Sequence, residues 1–381
     1  MKVPLLDLKT QYQSIRSEVL DAVGDVLESQ VCILGPKVAE LEERVAALSG
    51  CKYGVGVSSG TDAILAALMA LGIGAGDEVI VPSFTFFATA GCVTRVGATP
   101  VFAEIDPRTY NMDAEKLERA ITRRTKAIMP VHLFGQMCDM DPILEIAARH
   151  GVLVIEDAAQ AISATYKGCK AGSMGTVGCL SFYPTKNLGG VGDGGMLVTN
   201  DAALHERLVV MRNHGMKPKY HHQFVGGNFR LDPLQAAVLL VKLPHLDRWS
   251  EGRRRNAALY DAAFAGTSIS TPWISPEMVS IFNQYVIRTE RRDELIAHLE
   301  RNGVGTEIYY PVPLHLQECF RDLGYKQGDL PVSERAAREV VALPIYPELT
   351  REQIEHVCRV IVEWAGQRTG SGQVGASLRS H

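Results

Sequence analysis

VGVSSGTDAILAALMALGIGAGDEVIVPSF (residues 55–84) reads as strand, helix, strand. The first and last runs are apolar and β-branched, while Ile64, Leu65, Leu68 and Met69 recur at the spacing of one helical face. Strands that run in the same direction need a crossover connection, so this stretch predicts a parallel pair bridged by a helix. The rhythm continues downstream. TPVFAEI (99–105), TKAIMPVHLF (125–134), VLVIED (152–157), CLSFYP (179–184) and GMLVTN (195–200) read as strands. DAEKLERAI (113–121) and PILEIAARH (142–150) read as helices. The expectation is an α/β domain with a mainly parallel seven-stranded sheet, helices on both faces, and a ligand site at the carboxyl ends of the strands.

Upstream, residues 11–29 and 36–49 predict two helices around the turn Ile33-Leu34-Gly35-Pro36. Downstream come a helical run to about residue 214, a polar loop at 216–228, a helix at 233–243 and a long helix at 248–264. Strands such as SIFNQYVIR (280–288) then mix with helices to about residue 364. At 381 residues the chain exceeds one ordinary core. The expected division is a large domain with N-terminal helices at 1–248 and a smaller C-terminal α+β domain at 249–366. The polar, Gly- and Ser-rich stretch at 367–381 is expected to be a disordered tail.

A net charge of -4 excludes a nonspecific nucleic-acid binder, which needs a basic excess. The start MKVPLLDLKTQYQ lacks an apolar leader, and no run approaches the ~20 apolar residues of a membrane span. Eight scattered cysteines, without zinc-ligand spacing, predict free thiols buried as small hydrophobes in a reducing cytoplasm, and no metal site.

Three constellations can carry chemistry. Ser58-Ser59-Gly60-Thr61-Asp62 closes a strand and opens a helix, where free amides, the helix dipole and the Thr61 hydroxyl suit a phosphate; an ordinary N-cap by Ser59 or Thr61 is the plainer reading. Glu156-Asp157-Ala158-Ala159-Gln160 ends a strongly apolar strand. A carboxylate there needs a cation, such as a protonated pyridine nitrogen for Asp157, with Gln160 beside a ring hydroxyl; a helix cap or a metal ligand is the alternative. SFYPTKNLGG (181–190) followed by GDGG (192–195) puts Lys186 in a glycine-rich loop after a strand, where desolvation makes an amine nucleophilic toward an aldehyde. Ser181 can donate to a phosphate. A lone lysine in such a loop also fits a solvated surface.

In this order the three constellations resemble the DegT/DnrJ/EryC1/StrS family of sugar aminotransferases. The likeness extends through PLLDLKTQY (4–12), ILGPKVAELE (33–42), GDEVIVPSFTFFATA (76–90), NFRLDPLQAA (228–237), YYPVPLH (309–315) and LPIYP (343–347). It implies the fold type I of pyridoxal 5'-phosphate enzymes and interconversion of that cofactor with pyridoxamine 5'-phosphate. Lys186 then falls at the Schiff-base lysine and Asp157 at the partner of the pyridine nitrogen. Gln160 lies beside the ring hydroxyl, and Gly60, Thr61 and Ser181 contact the phosphate. Phe86 matches the aromatic that stacks on the cofactor, with Phe84 and Phe87 as alternatives. Asn228 matches a phosphate contact from the neighbouring subunit, which implies a homodimer with shared active sites.

A branch of the family carries histidine in place of this lysine and dehydrates its substrate. The lysine here implies amino transfer, with L-glutamate as donor and a nucleotide-linked keto sugar as acceptor. By family position, His214, Tyr220, His221, Arg230, Tyr309, Tyr310 and His315 are the expected substrate contacts. HGMKPKYHH (214–222) resembles enzymes that act at C3 of UDP-linked 2-acetamido-3-keto uronic sugars, with dTDP-linked 3-keto-6-deoxy and 4-keto sugars as competitors.

Overall fold

Alanines at 63, 66, 67 and 70 let the helix Gly60–Ala70 approach its neighbours closely on every side. Ile64, Leu65 and Leu68 are buried as well, so the helix is enclosed all round instead of burying a single stripe. It packs against the main sheet and against the helices Ala88–Arg95 and Ala202–Met211. The computed structural model describes residues 1–366, and the tail expected at 367–381 lies outside them.

The main sheet holds β1 (Tyr53–Val57), β2 (Glu78–Pro82), β3 (Thr99–Ala103), β4 (Thr125–Ile128), β5 (Leu153–Asp157), β6 (Val177–Ser181) and β7 (Gly195–Thr199). Their order across the sheet is β1-β7-β6-β5-β4-β2-β3. Every pairing is parallel except those of β7, which runs antiparallel to β1 and β6. The connection 182–194 forms no crossover helix, so the chain doubles back on itself. The carboxyl ends of β1 and β6 and the start of β7 therefore meet at one edge, where Gly195 pairs with both Val57 and Ser181.

Beyond residue 245, the antiparallel strands Tyr285–Arg288 and Val340–Leu343 pack with the helices Leu246–Phe264, Arg292–Arg301 and Arg351–Gly366. Val3 belongs to the same apolar cluster, tied in by hydrogen bonds with Gly303 and Gly305. We propose the boundary between residues 248 and 249 as the division of the chain. The helix Leu246–Phe264 straddles this division: Trp249 still packs with Ile15, Val19 and Val238 of the large domain, whereas Ala257, Tyr260 and Phe264 enter the C-terminal core.

Several expectations are corrected. The helix expected at 11–29 is two, Leu8–Ser14 and Arg16–Ser29, because Ile15 leaves helical geometry as its side chain packs inward. The strand expected at 280–288 begins only at Tyr285, since the preceding residues bond to the main domain through Ile281 N to Gly135 O and Asn187 Nδ2 to Ile281 O. The strand expected at 125–134 stops at Ile128, just before Pro130, which has no N–H for the ladder. All eight cysteines are unpaired, but Cys32, Cys169 and Cys319 are exposed and Cys358 is half-buried, so burial holds only for Cys51, Cys92, Cys138 and Cys179.

Adjacent residues of a strand face opposite sides of the sheet, and β5 ends with two carboxylates. Glu156, fully buried, accepts hydrogen bonds from His132 Nε2 at 2.8 Å and from the amides of Gly172 (2.8 Å), Met174 (2.7 Å) and Gly175 (2.6 Å). The amide of Cys138 donates to His132 Nδ1, which leaves the ring proton on Nε2 for Glu156. Burial alone would raise the Glu156 pKa, but His132 and these amides hold it below the ordinary glutamate range. Glu156→Ala is predicted to destabilise the fold by about 3–5 kcal/mol, because it strands several buried donors. A lowered folded-state pKa stabilises above the ordinary glutamate range and is lost as pH falls through the folded value. The gap between parent and variant urea-unfolding midpoints should therefore be full at neutral pH and narrow in acid.

Candidate active site

A cavity of about 560 Å³ opens at the carboxyl edge of the sheet. Its wall comes from separate segments: the start of the helix Gly60–Ala70, residues 85–88, the ends of β5 and β6 with the loops that follow them, and Gln284, Tyr309 and Tyr310 from the C-terminal region.

One side is built for an anion. The first amides of a helix have no partner within it. The Ser59 hydroxyl takes one of these, Asp62 N, and its carbonyl starts the regular helical ladder at Ala63 N, which leaves the amides of Gly60 and Thr61 at the cavity. The hydroxyls of Thr61 and Ser181 line the same side. Glycine at 60 is required by this contact, because a Cβ there would sit 2.7 Å from the Ser181 Cβ. A Cβ on Gly195 would meet the Ser59 carbonyl at 2.4 Å, so the antiparallel strand can close against the cradle only with glycine.

The other side is built for a cationic ring atom. Asp157 is 4% exposed, and its carboxylate accepts from Thr89 Oγ1 at 2.8 Å and from the Ala159 amide at 3.2 Å. Burial pushes its pKa up, opposed by these hydrogen bonds and by the charge of Lys186. Lys186 lines the same cavity from the loop after β6, held by its backbone N–H to the Tyr183 carbonyl at 2.8 Å. Burial lowers the Lys186 pKa to about 8, against the pull of Asp157. More of this amine is therefore neutral and nucleophilic near neutral pH than in a solvated lysine.

Gln160 is fixed at both ends. Its Oε1 accepts from the Phe134 amide at 2.7 Å and its Nε2 donates to the Tyr310 hydroxyl at 3.0 Å, with the second Nε2 hydrogen left over. Among the three aromatics weighed from the sequence, Phe84 is buried in the core and Phe87 stacks on Phe320, while Phe86 lines the cavity and is 56% exposed.

A phosphate cradle, a buried carboxylate for a ring nitrogen, a neutralisable lysine, an amide for a ring hydroxyl and an exposed aromatic face fit the donor and acceptor pattern of pyridoxal 5'-phosphate. Tyr309 and Tyr310 join them in the wall. The remaining expected contacts are placed elsewhere. His315 is buried at 1% exposure, with Nδ1 2.6 Å from Ser83 Oγ and Nε2 3.3 Å from Glu334, so it braces the wall from behind and does not line the cavity. His214, Tyr220, His221, Asn228 and Arg230 are absent from the cavity wall of their own chain. Tyr220 is 78% exposed at the tip of a turn closed by the Met216 and His222 bridge, and Arg230 donates to Asn213 Oδ1 at 2.7 Å.

Thr89, Tyr183, Asp193 and Gln284 are functional-site residues that sequence reasoning missed. Thr89 carried no local signal, because its place in the site depends on a hydrogen bond to Asp157, far away in sequence. Gln284 carried none, because it comes from a segment distant in sequence.

Comparison with known proteins agrees with this geometry. The DegT/DnrJ/EryC1/StrS aminotransferase family matches residues 13–362. The chain is 52% identical to a pleiotropic regulatory protein of Geobacillus stearothermophilus, over 96% of this chain and 99% of that one. It is 46% identical to a UDP-N-acetyl-3-dehydro-alpha-D-glucosamine 3-aminotransferase of Acidithiobacillus ferrooxidans, over 94% and 97% of the two chains. A dTDP-3-amino-3,4,6-trideoxy-alpha-D-glucose transaminase of Streptomyces venezuelae is also 46% identical, over 96% of each chain. Among solved structures, S. venezuelae DesV in complex with a ketimine intermediate superposes with a TM-score of 0.94 at 45% identity, covering 96% of this chain and 98% of that one. With a match across nearly its whole length and a site that carries the corresponding chemistry, the chain belongs to the DegT/DnrJ/EryC1/StrS aminotransferase family.

Proposed function

We propose that this aminotransferase uses pyridoxal 5'-phosphate to move the amino group of L-glutamate to C3 of a nucleotide-linked keto sugar, in the synthesis of amino sugars for surface polysaccharide or glycosylated metabolites. The observation that carries the reading is Lys186, a partly neutral amine that lines one cavity with the buried Asp157 and an anion cradle. When bound, the cofactor supplies an aldehyde that captures amines and a ring that stores the electron pair of a deprotonated carbon. The amides of Gly60 and Thr61 with the hydroxyls of Thr61 and Ser181 hold its phosphate. Asp157 keeps a proton on the ring nitrogen, Gln160 orients the ring hydroxyl, and Phe86 covers the ring and excludes water. Lys186 anchors the cofactor at rest. The free amine of Lys186 would carry the proton off the donor α-carbon and, in the second half, deliver one to the sugar carbon.

Both sugar-acting relatives named above carry their nitrogen at C3 by name, one on a UDP sugar and one on a dTDP sugar. Our reading is a UDP-linked 2-acetamido-3-keto sugar or uronate, supported by the 214–222 segment with its two lysines and three histidines. A dTDP-linked 3-keto-6-deoxyhexose or a 4-keto sugar is the alternative. We also propose a homodimer, in which Asn228, His214, Tyr220, His221 and Arg230 serve the cavity of the second chain, since they do not line their own. No helix among the described residues is long and apolar enough to cross a membrane, and eight unpaired thiols support a reducing cytoplasm. The name of the Geobacillus relative favours one other reading, a cofactor-binding regulator without turnover.

Purified protein is predicted to show a near-visible absorbance band that glutamate bleaches and that Lys186→Ala lacks. Lys186→Ala should also lower amino transfer about a thousandfold or more. Mass spectrometry across UDP-, dTDP- and GDP-linked keto sugars with glutamate identifies the acceptor; bleaching by glutamate with no amination of any sugar would favour the regulator. Asp157→Asn should bind the cofactor yet slow both half-reactions about a hundredfold, measured by stopped-flow absorbance. Because the neutral amine attacks and the Lys186 pKa is lowered to about 8, cofactor uptake by apoprotein should accelerate as pH rises through 8 and level off above it.

A further inference from the structure

Several polar groups in the cavity wall have partners within the protein. Asp157 is bonded to Thr89 and Ala159, Gln160 to Phe134 and Tyr310, and Ser181 Oγ accepts from the Tyr183 amide. Gln284 differs. Gln284 borders this cavity and also a smaller one beside Phe134 and Trp273, and its Oε1 is buried with no hydrogen-bond partner among the described residues. An unmet buried amide oxygen destabilises the fold unless a ligand meets it.

The backbone around Gln284 is fixed. Arg253 Nη1 donates to the carbonyls of Phe282 (3.1 Å), Asn283 (3.2 Å) and Ile345 (2.8 Å). Asn283 Nδ2 donates to Asn187 Oδ1 at 2.8 Å, and Asn187 Nδ2 donates to the Ile281 carbonyl at 3.0 Å. Asn187 follows Lys186 in the chain, so Gln284 is fastened to the loop that carries the reactive amine. A held backbone that carries a side-chain amide with an unspent oxygen, free to turn toward a ligand, suits a recognition group.

The cofactor-binding set described above comes from the main sheet and its loops, whereas Gln284, Tyr309 and Tyr310 approach from the C-terminal region. We infer that Gln284 is a specificity-determining residue that hydrogen-bonds a substituent on the sugar ring able both to donate and to accept, a hydroxyl or a secondary amide. The inference rests on the nucleotide-sugar reading. Rotation of the amide presents either its oxygen or its NH2, so a group of that kind is matched in either orientation.

The test titrates the pyridoxamine form of the parent and of Gln284→Leu with UDP-N-acetylglucosamine, UDP-glucose, dTDP-glucose and UDP by calorimetry, and follows bleaching by glutamate separately. Gln284→Leu should bind the sugar nucleotides about tenfold more weakly, with UDP binding and the glutamate half-reaction unchanged. Gln284→Glu, which keeps the acceptor oxygens, should recover part of the loss. A loss confined to UDP-N-acetylglucosamine assigns the contact to the acetamido group, and an equal loss for all three sugars assigns it to a ring hydroxyl. Unchanged sugar binding, an equal loss for UDP, or a matching defect with glutamate would overturn the assignment. If the parent binds none of the three sugar nucleotides, the nucleotide-sugar reading fails and takes this inference with it.

Discussion

Two neighbouring carboxylates at the end of one strand organise this protein. Side chains alternate across a sheet, so Glu156 and Asp157 cannot serve the same face. Glu156 points into the fold, where His132 and three amides of the 172–175 turn surround it. Asp157 lines the cavity, where Thr89 and Ala159 steady it and Lys186 shares the wall. The first carboxylate fixes the strand end, and the second thereby gains a defined position from which to act on a ligand. An Asp157 on a loose strand end would find its own solvation or partners, and its burial would not be enforced.

The lysine reaches that carboxylate through an exception in the topology. Six strands are parallel to one another, and β7 alone reverses. The chain between β6 and β7 stays at the carboxyl edge because it forms no helix to carry it across the sheet, and Lys186 sits in that stretch. Reversal also brings Gly195 against Ser59, close to the place where Gly60 meets Ser181. The glycines in this region are therefore steric requirements of closing β7 beside the anion cradle. Amine, carboxylate and cradle are brought together by backbone geometry before any ligand arrives.

Much of this was legible in the sequence. Seven β-branched runs separated by helical patterns gave the parallel architecture, and local motifs marked Gly60, Thr61, Asp157, Ser181 and Lys186, since each lies where a strand ends and a loop or helix begins. Residues whose role depends on a distant partner were harder to place. His315 sits in a motif that resembles substrate contacts, yet Ser83 and Glu334 enclose it, and no local pattern announces two partners so far away in sequence. Thr89 and Gln284 become site residues only when separate segments converge. The short breaks at Ile15 and before Tyr285 were illegible for the same reason, since a buried side chain or a bond to another domain overrides local periodicity.

We propose that this cavity transfers nitrogen between two carbon skeletons, with Lys186 as the group that moves the proton at each. The most direct test supplies glutamate labelled with nitrogen-15 together with UDP- and dTDP-linked 3-keto sugars, and follows the label by mass spectrometry and NMR. The expected result is one labelled nitrogen on C3 of the sugar for each 2-oxoglutarate formed. Label that stays in glutamate, or leaves as ammonia while the sugar is dehydrated, would contradict it.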